Sequence, residues 1–251
     1  MPHVDPDEET STAHSINVLE HGSFSIVHGA RTFVVGPSEV FVTVPGQVHR
    51  YLHDDREDAP GDSCIAISFN DASHDGIDER MRSACRVAPA NNRRAYLRHR
   101  LMAHVAGPQD RMALDLIAGE LLDAVGDTRP TRLFRAGQLT WYARRIDAAR
   151  RALDADFSGA HTLSALAADA GMSPFHFARV FRELTGTPPH RYLLRRRLIA
   201  AATMLRDGAS VTDTCFAVGF ESLSHFIHAF RRTFGVPPSR LTTAARDTTP
   251  S

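Results

Sequence analysis

The sequence predicts an α+β fold built in two parts, with strands in the N-terminal third and helices in the rest. Three observations lead to this prediction. Residues 17–70 contain short β-branched and aromatic runs separated by Gly and Pro, a pattern typical of strands. From residue 93 onward the apolar residues recur with helical spacing. In the C-terminal part, one pattern of helix, glycine turn and helix occurs twice, 48–49 residues apart.

The charges divide along the chain in a similar way. Residues 1–138 carry 14 Arg against 20 Asp and Glu, a net charge of −6, whereas residues 139–251 carry 15 Arg against 9 acidic residues, a net charge of +6. A basic C-terminal half favours an anionic partner. No apolar run reaches the ~20 residues that span a bilayer, and the acidic N-terminus does not resemble a signal peptide. The sequence therefore predicts a cytoplasmic protein with no membrane association.

The N-terminal third combines a polar start with strand-like runs. Residues 1–15 are acidic and polar and are predicted to form a disordered tail. Residues 16–92 are predicted to form the first domain, because runs such as RTFVVG, EVFVTVPG and CIAISF alternate there with turn residues.

Residues 93–127 are predicted to hold two helices. In the second helix an apolar stripe lies near one face, formed by Ala113, Leu116, Ile117 and Leu121. Two interpretations stay open: the stripe covers the first domain of the same chain, or it packs on a second subunit through residues 110–125 and makes a homodimer. Residues 128–138 include a proline and are predicted to be a linker.

The repeated pattern lies in GMSPFHFARVFRELTGTPP, which starts at Gly171, and GFESLSHFIHAFRRTFGVPP, which starts at Gly219. Each glycine is predicted to end one helix with a positive φ, and the serine that follows is predicted to cap the next helix. The apolar residues of each second helix recur at i, i+3, i+4 and i+7 and are predicted to be core. These residues are Phe177, Val180, Phe181 and Leu184 in the first copy, and Phe226, Ala229, Phe230 and Thr233 or Phe234 in the second.

A helix, a tight turn and a second helix with a basic outer face form a helix-turn-helix unit, a widespread DNA-reading motif. The segment between the two copies, Pro189 to Arg206, has 18 residues and would be ~27 Å long as a helix. Successive major grooves on one face of DNA lie ~34 Å apart. A rigid connector of this length is therefore predicted to hold two reading helices in adjacent grooves. Its three consecutive arginines, Arg195, Arg196 and Arg197, are predicted to add positive charge.

Residues from Tyr142 to Leu241 resemble the DNA-binding domain of the AraC/XylS family of bacterial transcription regulators. The matching text is LSALAADAGMSPFHFARVFRELTGTPPHRYLLRRRLIAAATMLRDG, followed by SVTDTCFAVGFESLSHFIHAFRRTFGVPPSRL. The resemblance implies two helix-turn-helix units joined by a long helix, within a domain of residues 139–245. It also implies base contacts from the outer faces of both recognition helices. These fall on Phe175, Ala178 and Arg179 in the first unit, and on Leu223, Ser224, Ile227 and His228 in the second.

The two units are predicted to read DNA unequally. Arg179 is interpreted as a bidentate contact to guanine, with a phosphate contact or a solvated side chain as the alternatives. Ile227 and His228 stand where polar residues or Arg are frequent, so the second unit is predicted to touch mostly phosphates. The remaining residues predicted to contact DNA are Ser173 and Arg182 in the first unit and Ser222 and Arg231 in the second.

The stretch GPSEVFVTVPGQVHRY resembles part of the small β-barrel, or cupin-like, effector domain common in this family. The resemblance implies a small-molecule effector at the mouth of the barrel, where His28, Arg31 and His49 are the candidate residues. His49 suits the last ligand of a metal-binding cupin, but no H-x-H precedes it. No metal and no other cofactor is therefore predicted.

Together these features predict a sequence-specific DNA-binding transcription regulator, most simply an activator, controlled by a small molecule. Its predicted partners are double-stranded DNA, RNA polymerase and the effector, and no catalytic residue is predicted. The alternative is a metal-dependent cupin-type enzyme, or a metal or redox sensor, fused to a DNA-binding domain.

Overall fold

The computed structural model describes residues 3–4, 8–37, 39–53, 61–69, 81, 87–107, 110–127 and 132–246. The chain divides into two compact units, Met1–Ala143 and Arg144–Ser251. All of the described strands lie in the first unit, and the described part of the second unit is helical. The predicted α+β class is therefore confirmed.

The described strands of the first unit form two antiparallel sheets. In one sheet the order is β1, β7, β4, β5, with β2 also paired to β7, and in the other it is β8, β3, β6, β9. The strands are β1 (His3–Val4), β2 (Glu9–Thr10), β3 (His14–His21), β4 (Phe24–His28), β5 (Arg31–Val35), β6 (Val40–Thr43), β7 (Val48–His53), β8 (Ser63–Phe69) and β9 (Val87–Ala88).

The two sheets share one apolar core. It contains Leu19 and Phe41 from the second sheet and Phe24, Ile26 and Val35 from the first. The rings of Phe24 and Phe41 meet edge to face with centroids 5.5 Å apart, an arrangement favoured by the ring quadrupoles. The described strands therefore form two facing sheets rather than the single closed barrel that the resemblance implied.

The predicted tail, residues 1–15, differs most from the structure. Strands β1 and β2 both pair with β7, and β3 begins at His14. Composition hides the start of β3, because its polar side chains bond to each other and to β6. The hydroxyls of Ser15 and Thr43 lie 2.6 Å apart, and the side-chain amide of Asn17 donates to Ser15 Oγ at 3.0 Å.

Two helices of the first unit, α1 (Asn92–Val105) and α2 (Arg111–Val125), lie within the predicted helical segment. The fully buried side chain of Arg94 joins them, because its Nη1 donates to the carbonyl oxygens of Ala124 and Asp127, both at 2.8 Å. The predicted stripe on α2 divides. Ile117 and Leu121 are buried within the unit, as the intrachain interpretation requires, whereas Leu116 is 57% exposed.

The predicted linker, residues 128–138, is only partly described, since residues 128–131 lie outside the described residues. The segment that follows is held on the start of α1. The side-chain amide of Asn92 donates to Arg132 O at 2.9 Å, and its Oδ1 accepts from the amide of Phe134 at 2.8 Å. Helix α3 (Ala136–Ala155) then begins inside the predicted linker.

Six further helices lie in the described part of the second unit. They are α4 (Leu163–Asp169), α5 (Pro174–Thr185), α6 (Pro189–Arg206), α7 (Val211–Ala217), α8 (Leu223–Phe234) and α9 (Pro238–Arg246). Thr162 caps α4 and Ser210 caps α7, each accepting a backbone N–H at 3.1 Å, as the sequence predicts. None of the helices in the described ranges is long and apolar enough to cross a membrane.

Candidate nucleic-acid interface

Two helix-turn-helix units lie in the second compact unit, α4 with α5 and α7 with α8. Their turns contain Gly171 at φ +64° and Gly219 at φ +86°, as the repeat predicts. At Gly219 a second constraint applies, because an added Cβ would collide with the carbonyl oxygen of Ser158. Both the positive φ and this close approach require glycine there.

The second helix of each unit is defined by the same end signals. Ser173 and Ser222 accept the backbone N–H of His176 and His225, each at 3.4 Å. A serine hydroxyl that accepts a bond keeps its own O–H, so both caps can still donate to a phosphate oxygen. Each helix is followed by a glycine whose amide bonds back to the carbonyl oxygen of Arg182 or Arg231.

The inner faces of the two helices are buried almost as predicted. All four stripe residues of α5 are fully buried, as are Phe226 and Phe230 of α8, and Ala229 is nearly so. The prediction fails at the end of α8, where Thr233 is exposed and Phe234 is 37% exposed. Thr233 takes the position of Leu184 in the repeat, and its short, polar side chain does not reach the core. Phe234 contacts the Phe230 ring, with centroids 4.6 Å apart.

The outer face of α5 carries an apolar ring beside positive charge. Phe175 is 82% exposed, Arg179 and Arg182 are also exposed, and Ala178 is half-buried. Arg179 Nη1 lies 3.4 Å from Glu183 Oε2, one helical turn away. Exposed ion pairs of this kind contribute ~0–1 kcal/mol. Arg179 can therefore leave Glu183 for a base edge at little cost.

The outer face of α8 has a different chemistry. Ser224, Ile227, His228 and Arg231 are exposed. Leu223, which was predicted to contact DNA, is half-buried and packs against the apolar core of its own unit. Part of its side chain therefore stabilises the fold. Of the contact residues predicted on this helix, Arg231 is the fixed cation, whereas the first recognition helix offers both Arg179 and Arg182.

The connector between the two units is α6, whose 18 residues make it ~27 Å long. The structure changes the predicted role of two of its arginines. Arg196 pairs with Asp154, with Nε 2.7 Å from Oδ1. Arg197 is directed to three backbone carbonyl groups, and burial lowers the pKa of its guanidinium. Arg195 is exposed, so it alone of the three keeps an outward position.

A cleft of about 770 Å³ lies between the two helix-turn-helix units. Its walls combine leucines of α4 and α6 and Phe220 with polar side chains, among them His161, His190 and Arg197. Ala178 of the first recognition helix and Ser222 and His225 of the second lie at its edge. The two reading helices are therefore separated by a gap.

The three candidate effector residues lie at one end of one sheet in the first compact unit. His28 pairs directly with Arg31 across the β4–β5 hairpin, and its Nδ1 lies 2.8 Å from Val48 O, beside His49. His49 is only 4% exposed. Its Nε2 lies 2.8 Å from the Tyr51 hydroxyl.

Burial shifts the pKa values of both His49 and Tyr51. It lowers the pKa of His49, an effect that the nearby carboxylate of Glu9 opposes. It also raises the pKa of Tyr51 to about 12, so the phenol stays protonated and can donate. Among the residues that the structure describes, no group of three or more His, Cys, Asp and Glu side chains is placed to hold a metal ion.

Two short helix-turn pairs with exposed second helices, held apart by one connecting helix, define a double helix-turn-helix DNA-binding domain. A family profile described as a helix-turn-helix domain matches residues 166–244. The transcriptional activator NphR of Rhodococcus sp is 36% identical over 127 residues, which cover 50% of this chain and 36% of that protein. The transcriptional activator RhaS of Escherichia coli is 35% identical over 97 residues, 38% of this chain and 35% of RhaS.

The chain thus spans about a third of the length of the curated relatives that it matches. Among solved structures, the DNA-binding domain of AdpA in complex with a target DNA is 29% identical, with a TM-score of 0.40, covering 43% of this chain and 97% of that one. The resemblance of the C-terminal domain to the AraC/XylS DNA-binding domain is confirmed over residues 166–244.

Proposed function

We propose that the chain is a sequence-specific DNA-binding transcription regulator that acts as an activator under the control of a small molecule. One observation carries the proposal. Two units with the same caps and the same buried stripe are held on one helix and expose different side chains on their second helices. The names of the relatives NphR and RhaS, both transcriptional activators, support the direction of regulation.

In the proposed reading mode, the first unit supplies most of the sequence selectivity. The Arg179 guanidinium donates two parallel hydrogen bonds to the O6 and N7 atoms of guanine. The exposed Phe175 ring packs on a thymine methyl group, and Ala178 leaves room for the base edge. Ser173 and Arg182 hold the adjacent phosphates.

In the second unit, phosphate contacts predominate. Ser222 and the first-turn amides of α8 meet one phosphate at the helix N-terminus, and Arg231 meets another. Ser224 and His228 reach base edges through single hydrogen bonds, while Leu223 and Ile227 offer apolar contact. The second unit therefore contributes affinity that depends little on base sequence.

The first compact unit supplies control in this proposal. An effector with hydrogen-bonding groups binds near His28, Arg31 and His49, where the imidazole of His49 lies beside the Tyr51 hydroxyl. Binding shifts an equilibrium between arrangements that differ in affinity for DNA or for RNA polymerase. The exposed Leu116 on α2 is the proposed contact in a homodimer.

The test is selection of DNA from a random library with the purified chain, followed by affinity measurements at physiological salt. Specific sites are expected to bind ~10³-fold or more tightly than scrambled DNA of equal length. The variant Arg179→Gln should lose this preference at one base pair. Arg206→Gln removes the same charge from the exposed end of α6 and serves as the matched control. Equal affinity of the wild-type chain for selected and scrambled DNA would contradict the proposal.

A further inference from the structure

The side chain of Arg197, in the middle of α6, joins three segments of the second unit. Its Nε donates to Phe157 O at 2.7 Å and its Nη2 to Gly159 O at 2.9 Å, both in the loop that precedes the first helix-turn-helix unit. Its Nη1 donates to Gly219 O at 2.8 Å, in the turn of the second helix-turn-helix unit. One guanidinium thus connects the connector helix, the lead-in to the first unit and the turn of the second.

Direct packing reinforces this connection. Gly219 lies so close to the loop that a Cβ there would collide with Ser158 O. Phe157, from the same loop, packs against the apolar core of the second helix-turn-helix unit, which includes Leu198, Cys215 and Phe226. The loop before the first unit is therefore inserted into the second, and Arg197 holds it there.

We propose that Arg197 is a positioning residue that fixes the separation and the angle of the two recognition helices, so that the chain accepts DNA sites of only one spacing. The inference rests on the proposed function and deepens it. A continuous helix sets the distance between its two ends, but it does not fix how each unit rotates about it. The three carbonyl bonds and the inserted loop supply that second constraint.

The chemistry at this point requires arginine. A guanidinium presents five N–H donors in a planar fork, and three different carbonyl groups are met here by three different nitrogens. A lysine would keep the charge but concentrate it on one atom. The substitution Arg197→Lys therefore separates positioning from electrostatic attraction to DNA.

The first experiment measures affinity as a function of site spacing. A two-part site recovered by selection is compared with variants that carry one or two base pairs inserted between its two parts. Each inserted base pair rotates the second part about the DNA axis by ~34–36°. The wild-type chain is expected to show a sharp optimum. R197K should bind the optimal site at least about tenfold more weakly, because a looser linkage lowers the effective concentration of the second unit. Its affinity for the isolated first part should not change.

Two further variants complete this experiment. Arg206→Lys is the matched control, since it makes the same exchange on the exposed last turn of the same helix and should keep the sharp optimum. Phe157→Leu loosens the inserted loop without touching Arg197 and should flatten the spacing profile as R197K does. An unchanged optimum in R197K, or an equal loss for the isolated part and the full site, would overturn the proposal.

A second measurement needs no DNA, so that failure of this inference can be distinguished from failure of the proposed function. Spin labels are placed at Ala168→Cys on α4 and Thr212→Cys on α7, both exposed, in a chain whose Cys64 and Cys85 are replaced by serine. The distance distribution between the labels should be narrow in this labelled chain and broader when R197K is the single further change. Identical widths would overturn the positioning role, whereas DNA binding without sequence preference would count only against the proposed function.

Discussion

The two helix-turn-helix units share a scaffold and differ in almost every side chain that faces outward. Both have a serine cap at 3.4 Å, a glycine in the turn and a pair of fully buried phenylalanines. At equivalent outward positions, the first recognition helix has Phe175 and Arg179 where the second has Ser224 and His228. Of the outward pairs predicted to contact DNA, Arg182 and Arg231 keep the same charged chemistry.

The comparison separates the positions that the fold requires from the positions whose side chains are free to match the DNA. Apart from the exposed pair Arg182 and Arg231, the shared positions described above have a structural reason, either a helix cap, a turn or a buried contact. The outward positions that differ, such as Phe175 against Ser224 and Arg179 against His228, are exposed and cost the fold little to change. An imidazole also lacks the forked donors of a guanidinium, so His228 cannot replace the two parallel bonds proposed for Arg179.

The largest expected effect tests whether the scaffolds are equivalent. Phe181→Ala and Phe230→Ala each remove a fully buried ring and should each cost ~3–5 kcal/mol of unfolding free energy. Urea titration followed by circular dichroism measures both. Because the two cores are built alike, the two losses should agree within about 1 kcal/mol. A much smaller loss in Phe230→Ala would show that the second core, with Thr233 in place of a leucine, is packed more loosely.

The next effect sharpens the contrast between the outer faces. Arg179→Ala should cost ~1–3 kcal/mol of binding free energy, concentrated at one base pair of a selected site. His228→Ala should cost less and show weaker base dependence, because it removes at most one hydrogen bond. Titration against a set of single-base variants of the site measures both losses. If Arg179→Ala lost the same binding free energy on every DNA sequence, Arg179 would be a phosphate contact and not a base contact.

The helix caps give a smaller pair of effects. Ser173→Ala and Ser222→Ala each remove the oxygen that accepts the backbone N–H three residues further on, and each should lower stability by ~1 kcal/mol. Thermal unfolding of the two variants beside Ser224→Ala, an exposed serine on α8 that does not cap the helix, measures the difference. If Ser222→Ala lowered the stability no more than Ser224→Ala does, the cap at Ser222 would not contribute the stability expected of both caps.

The smallest expected effect concerns the shared arginines. Arg231→Ala should weaken binding evenly across DNA sequences and reduce the slope of log K against log salt by about 1. Measurements from roughly 50 to 200 mM salt, the range over which phosphate contacts dominate, determine this slope. A base-dependent loss would instead make the second unit a sequence reader equal to the first.

The features that sequence predicted well are those fixed by near neighbours. Ser173, Gly171 and the stripe through Phe177 and Phe181 follow from capping, turn and periodicity rules that act within a few residues. The length of the connector follows from Pro188 and Pro189 at its start and Gly208 after its end, and the structure places α6 at the predicted residues.

The features that sequence missed depend on distant partners. The strand from His14 is polar, and its pairing is apparent only once Ser15 meets Thr43, 28 residues away. Arg197 reads as one of three adjacent surface arginines until the loop at Phe157, 40 residues earlier, contacts it. A guanidinium flanked by apolar helix positions in RRRLIAAA is the one local hint of its inward position.

The hydrogen bonds of Arg94 and Asn92 form one connected series. The buried guanidinium of Arg94 joins the C-terminal end of α2 to α1 through two backbone carbonyl oxygens. Asn92, at the start of α1, accepts the backbone N–H of Phe134, two residues before α3 begins. Two polar side chains, those of Asn92 and Arg94, thus link α2, α1 and the segment that leads into α3 through hydrogen bonds.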